Sequence, residues 1–354
     1  MRHRKKIAIA CQGGGSHTAF TAGVLQELLA AGVHQQYDIV SLSGTSGGGI
    51  CALLTWYGLL KAAFGSTEPV FQPLLDFWQD NTATNLWEVS FNNWLLQARR
   101  LADSGLIPTF SVNPDNLEAW QKFWLNFTPR KEFLDLKILL EKHVDFDSLQ
   151  QLVKPSSPQL LVGAVNIISG TFKVFDSTKG EITVDSILAS CAVPPYFKAV
   201  PIEGELYWDG LFAENPPLSR ILKRDNRPDE VWIIKINPKA RDSEPKTEVD
   251  ILERHNELAG NILLGAEIEL ITMINNWLEQ GAFTEDFLAK NPVKKIQIRL
   301  IAINSELVAL LDYASKLDRH PSHIHQLIED GQKQAKAFLE NIDDELFQPT
   351  SWYV

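Results

Sequence analysis

Four shortages narrow the reading of this 354-residue chain. Cysteine is scarce: Cys11, Cys51 and Cys191 are odd in number, far apart and without C-x-x-C or metal-ligand spacing, which fits a reducing compartment and gives no disulfide framework. No uninterrupted apolar run approaches the ~20 residues that span a bilayer. Positive charge is in deficit, with a formal net charge of −11 and no basic stripe, so a nucleic-acid partner is excluded. Internal repeats and low-complexity tracts are missing too. The basic start is followed by an apolar stretch, 7–11, too short for a secretory leader, and the expectation is a cytoplasmic protein.

What is present reads as α/β. Hydrophobic residues are 45% and charged residues 22%, the balance of an ordinary globular protein, and a single domain over 1–354 is expected. Residues 6–11 are strand-like and are broken by Gly13-Gly14-Gly15-Ser16-His17. Phe20, Val24, Leu25, Leu28 and Leu29 then recur at helical spacing over 18–31, with Gly32 as the stop. A second strand, 37–43, runs into Gly44-Thr45-Ser46-Gly47-Gly48. This succession begins a parallel pair.

From about 71 to 152 the composition turns to aromatic-rich helices, and five of the ten tryptophans lie between Trp78 and Trp124. Trp87, Phe91, Trp94, Leu95, Ala98 and Leu101 share one helical face. Asn113-Pro114 opens a further helix with Leu117, Trp120, Phe123, Trp124 and Phe127 on its apolar side. The segment is expected as a helical insertion on the sheet; the alternative is a lid or a peripheral membrane-contact face. Further strands are expected at 159–168, 171–175, 206–208, 231–236 and 293–303, and helices at 186–192, 257–278, 307–317 and 321–338. The polar stretch 239–246 is expected as a mobile loop.

Gly-x-Ser-x-Gly between a strand and a helix is the pattern of a nucleophile elbow. Gly44 and Gly48 flank Ser46 because side chains would obstruct so sharp a turn. The hydroxyl then sits at a helix N-terminus, which favours developing negative charge. The competing reading is an ordinary serine in a glycine-rich turn. A Ser-Asp-His triad on an α/β-hydrolase sheet would place the elbow after several strands, whereas here it follows the second. None of His255, His320, His323 and His325 lies in a recognisable strand-end loop, and the last three are not read as a metal site. The glycine loop lacks the third glycine of a dinucleotide fingerprint, and no Gly-Lys-Ser/Thr exists, so nucleotide binding is set aside.

Three motifs stand in order: Gly13-Gly14-Gly15, Gly44-Thr45-Ser46-Gly47-Gly48 and Asp209-Gly210-Leu211. The stretch ASCAVPPYF at 189–197 precedes the last, and Glu214-Asn215-Pro216-Pro217 follows it. With HVDFDSL at 143–149 and Arg254-His255-Asn256-Glu257, the chain resembles the patatin-like phospholipases and acyl hydrolases, most strongly over 6–218. The resemblance implies a three-layer α/β/α fold with a mostly parallel sheet, C-terminal strands and helices over 229–341, and a Ser46–Asp209 dyad that needs no histidine. It also implies an oxyanion hole of N–H groups from Gly13, Gly14 and Gly15, joined by Gly47, with no metal or cofactor. Phospholipids or lysophospholipids would be the substrates, hydrolysed through an acyl-enzyme. The chain departs from the family pattern at His17 and Thr18, where a basic residue and a glycine are usual, and at Leu211, where glycine or alanine is. His17 is a candidate cation or donor for a lipid phosphate, and Thr18 a candidate capping oxygen. Two rivals remain: a catalytically impaired lipid-binding or regulatory protein, and an acyltransferase using the same serine.

Overall fold

The structure, a computed structural model, describes residues 4–103, 119, 124–125, 128–194, 196–221, 227–241, 244–291 and 293–342. A mixed sheet is built from β1 (Lys6–Cys11), β2 (Asp38–Thr45), β3 (Gln159–Asn166), β4 (Phe172–Asp176), β5 (Val200–Ile202), β6 (Glu205–Asp209), β7 (Glu230–Lys235) and β8 (Gln297–Ala302). Its hydrogen-bonded path is β5-β6-β3-β2-β1-β7-β8, with β4 also on β3. From β3 to β8 along this path neighbours are parallel; β4, β5 and β6 pair antiparallel. Among the described residues, the helices of seven residues or more are α1 (Ala19–Ala30), α2 (Gly47–Ala63), α3 (Gln72–Asn81), α4 (Leu86–Asp103), α5 (Leu136–His143), α6 (Val184–Ser190), α7 (Glu248–Glu279) and α8 (Pro321–Glu340).

The alternation within β1 explains the layering. Ile7, Ile9 and Cys11 point into one core, shared with Phe20, Val24 and Leu25 of α1, Leu53 and Trp56 of α2, and Leu327 and Phe338 of α8. Ala8 and Ala10 point into a second core, with Val231 and Ile233 of β7 and Leu264, Ile268 and Ile271 of α7. A sheet buried on both faces needs apolar residues at every position, hence the near-continuous apolar runs of β1 and β7. Each such fully buried Leu or Ile contributes roughly 1.5–3 kcal/mol. This is the expected α/β/α arrangement.

Several boundaries differ from expectation. Helix α7 starts at Glu248 rather than 257, because the Thr247 side chain accepts the Asp250 N–H and caps a charged first turn. Strand β8 starts at Gln297 rather than 293, since Lys294 and Lys295 turn outward to Asp229 and Glu279. The helix expected over 307–317 is two short turns, Ser305–Val308 and Ala314–Leu317. Strand β5, short and carrying a proline, was not anticipated. In the aromatic segment Trp78 is buried, Trp87 stacks on Phe91 with ring centres 5.4 Å apart, and Trp94 is 64% exposed. The helix expected from Asn113-Pro114 lies outside the described residues.

Helix α7 has an unusual distribution of side chains. One face carries Leu264, Ile268 and Ile271 into the core, whereas the opposite one exposes Ile251, Leu258, Ile262, Met273 and Trp277. No helix among the described residues is long and apolar enough to cross a membrane.

Candidate active site

Strand β3 brings the site together. Its residues 161–163 pair with both β2 and β4, so these two strands occupy opposite edges of β3. Residues 164 and 165 pair with both β4 and β6, so β6 lies on the same edge as β2. The two strands abut end to end there. Thr45, the last residue of β2, sits opposite Gly163; Asp209, the last of β6, sits opposite Ala164. Ser46 follows Thr45 directly and so arrives beside Asp209.

Ser46 lies between β2 and α2 with φ 55° and ψ −135°, a conformation that side-chain-bearing residues rarely adopt. Close packing holds it there. A Cβ on Gly44 would strike the Gly48 carbonyl, and one on Gly48 would strike the Cys11 carbonyl. The Ser46 N–H donates to Ser190 Oγ at 2.9 Å, and its carbonyl accepts the Ile50 N–H at 3.1 Å to begin α2. The residue is 7% exposed.

Asp209 is completely buried. Its N–H donates to the Ala192 carbonyl at 3.0 Å, and its Oδ1 accepts the Leu211 N–H at 2.8 Å. Oδ2 completes no hydrogen bond with a described residue. Burial pushes the carboxyl up to about 7, while the nearby Ser46 hydroxyl and the Leu211 N–H favour the ionised form and oppose that rise. The Ser46 hydroxyl therefore acts on the carboxylate without completing a hydrogen bond of full geometry.

The glycine loop is held by a buried amide network. Gly13 N–H donates to Asn215 Oδ1 at 2.6 Å, and its carbonyl accepts from Asn215 Nδ2 at 3.3 Å and Asn237 Nδ2 at 3.1 Å. Gln12 Oε1 accepts the N–H groups of Ile236 and Asn237, and its Nε2 donates to Asn261 Oδ1. Gly13 is thus a fixed point rather than a free donor. The N–H groups of Gly14 and Gly15 make no hydrogen bond to a described residue. Gly15 has φ 58°, and a Cβ there would collide with the Lys316 carbonyl.

The departures from the family pattern resolve individually. His17 is buried, its Nε2 lies 2.7 Å from Ser315 Oγ, and burial, with Lys316 and His323 nearby, pushes its pKa well down. Burial thus disfavours the charged imidazolium, which counts against His17 as the candidate cation for a lipid phosphate. Thr18 does not cap α1; its hydroxyl donates to the Gly15 carbonyl at 2.6 Å. Leu211 leaves the Asp209 turn intact, since only its N–H is required.

A cavity of about 120 Å³ opens over Gly13, Gly14, Gly15 and Ser46. Its lining includes the apolar or aromatic Val193, Tyr196, Phe197, Leu211 and Leu317 and the polar Asn237, Asn256, Glu253, Glu257 and Lys316. Sequence reading found Ser46, Asp209 and the glycines, and included Asn215 in a motif. It missed Gln12, Asn237, Glu253 and Lys316, which carry no local signature. Of the late histidines, His320 caps α8 by accepting the Ser322 N–H.

A serine on a strained strand-to-helix turn, at the carboxyl end of a mainly parallel three-layer sheet, places the chain in the class of α/β folds with nucleophile-elbow geometry. Within that class, residues 9–222 match the patatin-like phospholipases, and the chain belongs to this family. Lipid-ester hydrolysis is the general activity that membership supports. Among solved structures the chain is similar to VipD from Legionella pneumophila, with 13% identity over 96% of this chain and 67% of VipD, at a TM-score of 0.42. It is also similar to full-length ExoU from Pseudomonas aeruginosa, solved with SpcU, with 15% identity over 95% of this chain and 53% of that one, at a TM-score of 0.32. The chain thus spans two thirds of VipD and about half of ExoU. Among proteins of curated function none matches it in sequence.

Proposed function

We propose that the chain is a serine acyl hydrolase of phospholipids or lysophospholipids, working through Ser46 and Asp209. The observation that carries this is the buried carboxyl, raised to about 7, beside the strained serine at the end of β2. Near neutral pH such a carboxylate takes the serine proton directly. Ser46 Oγ bonds to the ester carbonyl carbon, the carbonyl π electrons move to oxygen, and the oxyanion receives the N–H groups of Gly14, Gly15 and Gly47. Collapse expels the alcohol, which takes the proton from Asp209. A water then repeats the sequence on the acyl-enzyme, losing its proton to Asp209 and releasing the fatty acid. Gly13 holds the loop through Asn215 instead of contributing a donor. The nucleophile, the base and the oxyanion donors in this scheme are all groups of the protein.

Peripheral lipid contact is supported by Trp94 and by the exposed apolar face of α7, which backs the helix that lines the cavity. The site is proposed in the cytoplasm. Mass spectrometry of products from a mixed lipid extract is the direct test. Wild type should release free fatty acid and Ser46→Ala should not; equal release by both would overturn the assignment. Acyl transfer to an added alcohol in place of fatty acid would favour a transferase.

A further inference from the structure

The cavity contains an electrostatic arrangement that the dyad does not use. Glu253 and Glu257, on consecutive turns of α7, are both buried and both line the cavity. Three cations surround them. Arg241 Nη2 lies 2.9 Å from Glu253 Oε2 and 3.0 Å from Glu257 Oε1. Arg254 Nη1 is 3.3 Å from Glu257 Oε2, and Lys316 Nζ is 2.9 Å from Glu253 Oε1. The cluster therefore carries one more positive than negative charge. Of its three cations only Lys316 lines the cavity.

Lys316 is also fixed to the glycine loop. Its carbonyl occupies the space that a Cβ on Gly15 would need, and its ammonium is close enough to His17 to help keep that ring neutral. The cation that the sequence suggested at His17 is instead delivered from the C-terminal part of the chain. Arg241 bridges both carboxylates, so Glu253 keeps a partner if the Lys316 ammonium turns to another anion. Val193, Phe197, Leu211 and Leu317, which also line the cavity, suit an acyl chain. The lining thus combines apolar side chains with one ammonium, and its two carboxylates are held by Arg241 and Arg254.

We propose that Lys316 is a specificity-determining residue that binds the phosphate of the substrate's headgroup, selecting phosphate-bearing acyl lipids over neutral acyl esters. The inference rests on the acyl-hydrolase reading of the same cavity. An ammonium and a phosphate make a charge-assisted hydrogen bond, and its loss on a neutral glyceride leaves the lysine with its carboxylate partners, Glu253 at 2.9 Å and Glu257 at 4.0 Å.

The test separates binding from turnover. Ser46→Ala protein is titrated calorimetrically with octanoyl glycerophosphate and octanoyl glycerol, both as monomers. The phosphate lipid should bind at least about tenfold more tightly. Adding Lys316→Met should remove that preference and Lys316→Arg should keep it, an outcome that a merely structural lysine would not produce. In the Ser46 enzyme the same substitutions should change the ratio of kcat/KM for the two esters, mainly through KM. Equal affinities in Ser46→Ala, or a preference unaffected by Lys316→Met, overturns the proposal. Competition by inorganic phosphate as strong as that by the lipid would overturn the headgroup assignment. Hydrolysis of both esters without a phosphate preference would refute this inference alone. A Lys316-dependent preference without hydrolysis would refute the hydrolase reading alone.

Discussion

The Leu211 N–H holds Asp209 Oδ1 at 2.8 Å, and Oδ2 completes no hydrogen bond with a described residue. The backbone thus fixes the base using only one of its two acceptors. The leucine side chain has no part in it, which is why a residue unusual for the family is accommodated at this position.

The proposed dyad makes both Ser46 and Asp209 necessary for turnover. Ser46→Ala and Asp209→Asn should each lower kcat on a short acyl ester about a thousandfold or more, with the fold retained. A fluorophosphonate probe should label wild type and not Ser46→Ala. Residual activity of Asp209→Asn within about tenfold of wild type would require another base.

Activity and stability should respond to pH in opposite directions. Asp209 must be ionised to act as base, so kcat/KM should rise with pH and level off above about 7. The unfolded chain releases this proton near 3.9, well before the folded one. Stability should therefore fall as pH rises from about 4 to about 7, then cease to change on this account. Asp209→Asn should melt at a higher temperature than wild type at about pH 8, with the gap closing toward pH 4. Calorimetric melts across that range check the sign, and a gap that widens in acid would contradict it.

Asn215 should matter to both stability and rate. Asn215→Ala removes the acceptor for the Gly13 N–H and one donor to the Gly13 carbonyl, in a buried network. A loss of about 2–3 kcal/mol is expected from the stranded donor and acceptor. The loosened loop should lower kcat roughly tenfold to a hundredfold with a smaller change in KM. Urea unfolding and steady-state kinetics measure the two effects separately.

The apolar face of α7 gives a further expectation. Ile262, 66% exposed, and Trp277, 42% exposed, should enter the interface of anionic or zwitterionic vesicles and shift tryptophan emission to the blue. Ile262→Asp should reduce co-sedimentation while leaving hydrolysis of a water-soluble ester unaffected. Unchanged emission on adding vesicles would remove this face from consideration.

The residues of the proposed catalytic centre were legible in the sequence because close backbone packing is written in glycine. Gly44 and Gly48 mark the turn, and strand patterning located β1 and β2 around them. Lys316, Glu253 and Asn237 were not legible, since their roles depend on elements that meet only in the folded chain. His17 misled because sequence shows its proximity to the loop but not its burial. Thr18 misled because a hydroxyl can donate as well as accept. The start of α7 was missed because its first turns are charged, and their helical state rests on the Thr247 cap and on ion pairs to Arg241 and Lys316.

The abutment of β2 and β6 on one edge of β3 has a consequence for how such a protein can diversify. The spacing between nucleophile and base is set by the neighbouring positions Gly163 and Ala164, so the length of chain between α2 and β3 does not enter it. Closing a longer connection costs little, roughly 0.6 kcal/mol for each doubling. A change in the length of that connection therefore need not alter the Ser46–Asp209 spacing, although Phe77, Trp78, Leu139, Leu140 and Leu149, which lie within it, belong to the core that packs on the sheet.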